Sequence, residues 1–349
     1  MTSPVLLGHG ATLTSLLISS LYMLPSLDIS VQTQTTIFNS SLVISLVLLT
    51  AVLLPALISK HMYRMRIWYA LICSAMMYCV SFLLLVGYQI GPEEPPLGLC
   101  VAQTAMVYAA PVLVVSYALS FSMELLLGIQ AYSRGEEMKS STRIPLLIFP
   151  LFVYVVVVIE GLVLALTNKN EVERDPTMFY CHLHSSTPAL ISAVVITIEA
   201  GLMIILEVIT GILLYQRKTH LGRRDSVTAS NAPFPVGLFI RKIVYTMNIG
   251  FALGLYAFIL ANPNKSNAKW SLLLTGPPLV TALIFGPHRD ISRFWFCRRP
   301  NTTESSGSVS ESGHGLMHES KLNETRGETP SPLPPYEPAT RLDLQCRHV

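Results

Sequence analysis

The sequence predicts an all-α membrane protein built on a bundle of seven transmembrane helices. Three observations support this fold class. Only 13% of the 349 residues are charged and 51% are hydrophobic, whereas about 25% of residues are charged in soluble proteins. The charges are absent from long stretches and concentrated between them. The apolar stretches have the length of membrane-spanning helices, about 20 residues or more, while membrane strands are about 10 residues long with alternating polarity.

Seven stretches are long enough, or nearly so, to cross the bilayer, and none has a lysine or arginine in its interior. In chain order they are 41–59, 67–90, 101–130, 145–167, 188–215, 243–261 and 270–287. Together they make a predicted transmembrane domain at 41–287, preceded by an extracellular segment at 1–40. Residues 5–27 are fairly apolar, so an eighth helix that moves the N-terminus inside remains open.

The basic residues orient the bundle. With the first loop between spans in the cytoplasm, only four of the 24 lysines and arginines lie outside: Lys169, Arg174, Lys265 and Lys269. Cytoplasmic loops of membrane proteins carry an excess of lysine and arginine. The C-terminus is therefore expected in the cytoplasm, with the plasma membrane as the location.

Two of the six cysteines fall on the outer face in this orientation, Cys100 at the start of the third span and Cys181 in the second external loop. An oxidising exterior favours a disulfide between them, and the alternative is two free thiols. External glycosylation sequons occur at Asn39 and Asn264, of which Asn39 lies close to the membrane.

The predicted cytoplasmic side carries several regulatory motifs. Two arginines precede Ser226, a pattern that suits phosphorylation by a basophilic kinase. Residues 288–298 are amphipathic, and Cys297 at their end is a candidate for palmitoylation. The tail, 299–349, has the composition of a disordered segment. Its Leu-Pro-Pro-Tyr at 333–336 resembles a ligand for WW domains of ubiquitin ligases.

Four acidic residues lie inside predicted spans: Glu124, Glu160, Glu199 and Glu207. An ionised side chain at the bilayer centre costs at least ~2.5–3.5 kcal/mol, so these acids are expected to face the bundle interior, be protonated or reach an interface. Glu199 and Glu207 are expected to share one broad face of the fifth helix. Glu124 is expected either to bridge to Arg241 or Lys242, or to reach water.

The arrangement resembles the G-protein-coupled receptor superfamily over residues 36–298. In rhodopsin-like receptors an acidic-Arg-Tyr triplet follows the helix-three cysteine, and here that position holds Glu124-Leu125-Leu126. Gly276-Pro277-Pro278 stands where those receptors have Asn-Pro-x-x-Tyr. The chain is therefore similar to a divergent receptor, possibly of the fungal type. The resemblance implies an extracellular ligand and signalling through a heterotrimeric G protein.

Other functional classes are less compatible with the sequence. The predicted spans contain no histidine, and the chain has no phosphate-binding loop, nucleophile elbow or Cys/His cluster. Neither an enzyme nor a metal or other cofactor is predicted. The net charge of +3 is too small for a nucleic-acid surface, so membrane lipid is the expected surroundings. The alternative function is a proton-coupled or lipid-handling transporter that uses the intramembrane glutamates.

Overall fold

The computed structural model describes residues 30–58, 65–89, 94–134, 140–175, 177–221, 236–261 and 272–286. These ranges contain seven α-helices: α1 Val31–Ile58, α2 Arg66–Leu83, α3 Leu97–Arg134, α4 Ser140–Thr167, α5 Thr187–Leu221, α6 Val236–Ala261 and α7 Gly276–Phe285. Strands β1 Val172–Arg174 and β2 Cys181–Leu183 form an antiparallel hairpin between α4 and α5. The predictions for Ser226, Asn264, Cys297 and the segments 5–27, 288–298 and 299–349 concern residues outside the described ranges.

The outer surface of the bundle is apolar. Five helices, α1 to α5, are long and apolar enough to cross a membrane. Large side chains are exposed on them, including Phe152 of α4 at 66%, Val47 of α1 at 61% and Ile198 of α5 at 59%. A continuous apolar surface of this kind is unfavourable in water and favourable in lipid. The predicted membrane class is therefore confirmed for five helices, and spans six and seven stay predictions.

Helix α3 occupies the centre of the bundle. It packs against α2, α4 and α5, while α1 contacts α2 and α7, and α6 contacts α5 and α7. In the most apolar stretch of α3, 83% is buried within the protein, compared with 17% in the most apolar stretch of α4. Side chains on α3 therefore meet protein on most sides, whereas α4 presents most of its surface to lipid.

Several helix boundaries differ from the predicted spans, those of α1, α6 and α7 among them. Helix α1 begins within the segment predicted to precede it, and there the hydroxyls of Thr35 and Thr36 donate to carbonyls four residues earlier, at 3.0 and 2.9 Å. These bonds satisfy polar side chains inside the helix. Helix α6 begins at Val236, which places Lys242 inside the helix. Helix α7 is shorter than its predicted span, and Pro277 and Pro278 lie in its first turn, where proline is tolerated.

Gly161 marks a close approach between α3 and α4. A Cβ atom on Gly161 would lie 3.1 Å from the Cα of Ala105. We expect Gly161→Val to lower the thermal unfolding temperature of the purified protein in detergent by several degrees, because overpacking costs about 1–3 kcal/mol. Gly201→Val on α5 is the matched control, since a Cβ there meets no atom within 4 Å. Equal losses from the two variants would contradict this packing.

Candidate functional site

A cavity of about 530 Å³ lies between α2, α3, α5, α6, α7 and the β-hairpin. Helix α5 begins beside the hairpin, and α6 runs antiparallel to α5. The lining residues furthest from the hairpin along their helices are Ile196 of α5, Tyr245 of α6 and Thr281 of α7. These three form the floor of the cavity. Its volume falls in the range of about 300–1,000 Å³ that is typical of small-molecule sites.

The cavity wall is predominantly apolar. Among the described residues, no aspartate, glutamate, lysine or arginine lines it. Four polar atoms of the lining residues are buried without a hydrogen-bond partner in the described part of the chain: His182 Nδ1, Ser192 Oγ, Tyr245 Oη and Asn248 Nδ2. The Tyr245 hydroxyl lies near Thr281, but without the geometry of a hydrogen bond. The cavity thus combines a wall that has no described Asp, Glu, Lys or Arg with hydrogen-bonding groups that have no partner.

The hairpin is anchored to α3 at the mouth of the cavity. Cys100 of α3 and Cys181 of β2 lie at disulfide distance, with Cα atoms 5.3 Å apart, in agreement with the predicted pair. Gln103, which is fully buried, accepts a hydrogen bond from the Cys181 N–H at 3.0 Å and donates to the Ser81 carbonyl of α2 at 3.3 Å. The Cys100–Cys181 contact and the hydrogen bond to Gln103 therefore both hold strand β2.

A second anchor joins the hairpin loop to α1. Phe179 stacks on Phe38 with ring centroids 4.5 Å apart. Gln89 donates to the Phe179 carbonyl at 2.9 Å and accepts a hydrogen bond from the side-chain amide of Asn39. The side-chain amide of Asn39 is also the group that glycosylation would modify. Glycosylation of Asn39 stays a prediction. Sequence analysis missed this anchor, because neither glutamine nor phenylalanine at these positions forms a recognisable motif.

The hairpin also carries paired histidines and acids. His182 lies 3.9 Å from Glu173 and 3.8 Å from Asp175, and His184 lies 3.4 Å from Glu173. His182 and His184 line the cavity at its hairpin end. The acids that face these histidines belong to the hairpin and do not line the cavity.

The intramembrane acids face the protein interior in three of four cases. Glu124 and Glu199 are buried, and the Glu207 side chain is 12% exposed, so of the three possibilities left open by the sequence these residues adopt the inward orientation. Ser116 of α3 donates to Glu199 Oε1 at 2.6 Å. Glu160 of α4 is half-buried, and its Oε1 has no hydrogen-bond partner among the described residues.

The predicted bridge between Glu124 and Lys242 is wrong. Lys242 is fully buried, and its Nζ lies 3.3 Å from Glu207 Oε1 and 3.2 Å from Thr246 Oγ1. Thr246 also donates to Glu207. We call Lys242, Glu207 and Thr246 the Lys242 cluster. The prediction failed because α6 starts before Lys242, so its side chain is directed at α5 instead of the headgroup boundary.

Glu124 has a different basic neighbour. The Nε of Arg143 on α4 lies 3.9 Å from Glu124 Oε1, and the Arg143 side chain is 53% exposed. Arg241, the other residue predicted to bridge to Glu124, lies next to Lys242 on α6 and is half-buried. The structure therefore separates two ion pairs: Glu124–Arg143 between α3 and α4, and Glu207–Lys242 between α5 and α6.

Tyr245 connects the cavity floor to the Lys242 cluster. The Lys242 Nζ lies 5.6 Å from the centroid of the Tyr245 ring, a distance within reach of a cation–π interaction. The same ring packs edge-on against Phe285 of α7 with centroids 5.6 Å apart, and Phe285 packs against Phe121 of α3. The Tyr245 side chain at the cavity floor therefore contacts Lys242 and α7 directly, and reaches α3 through Phe285.

No protein-family model matches the chain, and no curated protein matches it. The likeness to G-protein-coupled receptors remains an interpretation of topology and spacing. Leu125 and Leu126, at the positions of the receptor arginine and tyrosine, are both buried.

Proposed function

We propose that this protein is a seven-transmembrane receptor of the plasma membrane that binds an extracellular small molecule in the cavity and signals through a heterotrimeric G protein. The observation that carries the proposal is the contact of Tyr245 with Lys242. Tyr245 forms part of the cavity floor, and Lys242 joins α6 to Glu207 on α5. A ligand on the floor thus acts on a contact that holds two helices together.

The mechanism follows from two states of the α5–α6 contact. In the resting state the Lys242 cluster holds the two helices together. A ligand that packs better against Tyr245 when the cluster is open shifts the population toward the open state, in proportion to its differential affinity. Shifts of packed helices relative to one another are a known kind of switching transition. The surface uncovered between α5 and α6 is then the contact for the Gα subunit.

Basal nucleotide exchange tests this proposal without a known ligand. The full chain in lipid nanodiscs is mixed with Gα purified from its native membranes, and the rate of GDP release is measured. We expect Glu207→Gln to raise the basal rate at least fivefold, because loss of even ~1 kcal/mol from the resting state shifts the population by that factor and removal of one partner of a buried ion pair costs more than this. Arg143→Gln is the matched control, since it removes a basic partner between α3 and α4 instead.

Two outcomes would contradict parts of the proposed receptor function. A Glu207→Gln rate equal to that of Arg143→Gln would exclude the Lys242 cluster as the switch. Absence of any exchange above the Gα-only rate, for wild type and both variants, would remove the G protein as the partner.

Orientation in the membrane is tested by a separate experiment. A C-terminal tag should resist protease on intact cells, because the receptor places the C-terminus in the cytoplasm.

A proton-coupled transporter is the second candidate function. It is favoured by Glu199, a buried carboxyl whose Oε1 accepts the Ser116 hydrogen bond while Oε2 has no partner among the described residues. A carboxyl that exchanges a proton during transport needs an oxygen that is free to take it. If the protein is a transporter, wild type in proteoliposomes carries pH-coupled flux that Glu199→Gln abolishes, and it does not accelerate nucleotide exchange on Gα. If it is a receptor, wild type accelerates nucleotide exchange on Gα and shows no flux.

A further inference from the structure

We infer that the cavity binds a neutral, largely apolar small molecule with one hydrogen-bond-accepting oxygen, and that Asn248 is the residue that binds this oxygen. The inference deepens the proposed receptor function, on which it rests for its biological role. The choice of ligand rests on the cavity, on the absence of Asp, Glu, Lys and Arg from the described wall, and on the unpaired polar atoms of Asn248, Ser192 and Tyr245.

The described wall offers an ionic ligand no Asp, Glu, Lys or Arg as a partner. A buried ammonium or carboxylate is unfavourable unless an opposite charge pairs with it, and no described Asp, Glu, Lys or Arg lines the cavity. The nearest buried ionisable groups beyond the floor have contacts of their own: Glu199 accepts from Ser116, and Lys242 pairs with Glu207. The cavity histidines lie at the hairpin end, where acids of the hairpin face them.

The unpaired atoms select an acceptor on the ligand. Asn248 Nδ2 can only donate a hydrogen bond, and the hydroxyls of Ser192 and Tyr245 are also able to donate. Tyr245 and Asn248 are three residues apart on α6, so they share one helix face, and Ser192 lies on the neighbouring helix α5. A buried donor without a partner is unfavourable. A carbonyl or ether oxygen at this level satisfies Asn248, while the rest of the ligand fills the apolar space.

A matched series of C12 compounds tests the ligand class. The probes are 2-dodecanone, dodecane, dodecanoate and dodecylammonium, which share a chain and differ at one end. Radiolabelled probe is equilibrated with the full chain in nanodiscs, and uptake by protein-free nanodiscs is subtracted. We expect saturable binding of 2-dodecanone, about five- to tenfold tighter than that of dodecane because of one added hydrogen bond, and weaker binding of both ionic probes.

Two pairs of variants locate the binding. Asn248→Leu should reduce 2-dodecanone affinity to that of dodecane and leave dodecane affinity unchanged, whereas Met247→Leu, at a residue 71% exposed on the outside of the bundle, should change neither affinity. Ala193→Trp should fill the cavity and abolish binding of both probes. Val194→Trp, on the lipid-facing side of α5 at 50% exposure, is its control for folding and for effects of added bulk.

The inference is overturned by absence of saturable 2-dodecanone binding, by tighter binding of an ionic probe, or by equal effects of the two leucine variants. These assays contain no G protein. Failure of nucleotide exchange with intact 2-dodecanone binding therefore rejects the receptor function and leaves the ligand class standing. Exchange that responds to Glu207→Gln, together with preference for an ionic probe, rejects the ligand class alone.

Discussion

Lys242→Met is expected to destabilise the protein by about 3–5 kcal/mol, the range seen when one partner of a buried ion pair is removed. The loss arises because Glu207, only 12% exposed, keeps its hydrogen bond from Thr246 but no longer has a cation beside it. The measurement is the free energy of unfolding of the full chain in mixed micelles, titrated with a denaturing detergent. The double variant Lys242→Met/Glu207→Gln should recover most of the stability, because neither charge then remains buried.

Two controls make this result specific. Arg143→Met removes the basic partner of Glu124, but its side chain is 53% exposed, so we expect a loss of no more than about 1 kcal/mol. Lys242→Met and Glu207→Gln should also be non-additive, since their side chains are in contact. Strict additivity in the double variant would mean that Lys242 and Glu207 do not stabilise each other in the folded state.

The sequence was sufficient for features that single residues or gross composition determine. Cys100 and Cys181 are the two cysteines on the predicted outer face, so their pairing needed no knowledge of helix packing. The cost of an ionised group in lipid limited Glu199 and Glu207 to three possibilities, of which the structure shows the inward orientation. The apolar lengths of five helices likewise follow from bilayer thickness.

The Lys242 cluster was not predicted, because a hydropathy count ends a span at its first charged residue. Sequence periodicity held the missing signal. Lys242, Tyr245, Thr246 and Ile249 recur at helical spacing, and all four are buried. That pattern extends the buried face of α6 through the lysine. The cavity itself could not be predicted, since it depends on how five helices and the hairpin pack together, and no local sequence pattern describes the space left between them.

Removal of the hairpin anchor is expected to have the second large effect. Cys100→Ser/Cys181→Ser should destabilise the protein by about 2–5 kcal/mol, because the bond closes a loop between residues 81 positions apart and its loss restores freedom to the unfolded chain. The same variant should lose 2-dodecanone binding, since Tyr180 and His182, on either side of Cys181, line the cavity.

Reduction with dithiothreitol distinguishes the effect of losing the disulfide bond from the effect of replacing the two cysteine side chains. Reduction should lower the unfolding temperature of wild type to that of Cys100→Ser/Cys181→Ser and leave the double variant unchanged. Cys73→Ser is the control, because Cys73 is a free and exposed cysteine, and it should behave as wild type with and without the reductant. Gln103→Leu keeps the disulfide but removes the hydrogen bond to the Cys181 N–H, so it should weaken 2-dodecanone binding while its unfolding temperature still responds to dithiothreitol. An unfolding temperature of wild type that does not respond to the reductant would show that the hairpin is held without the disulfide.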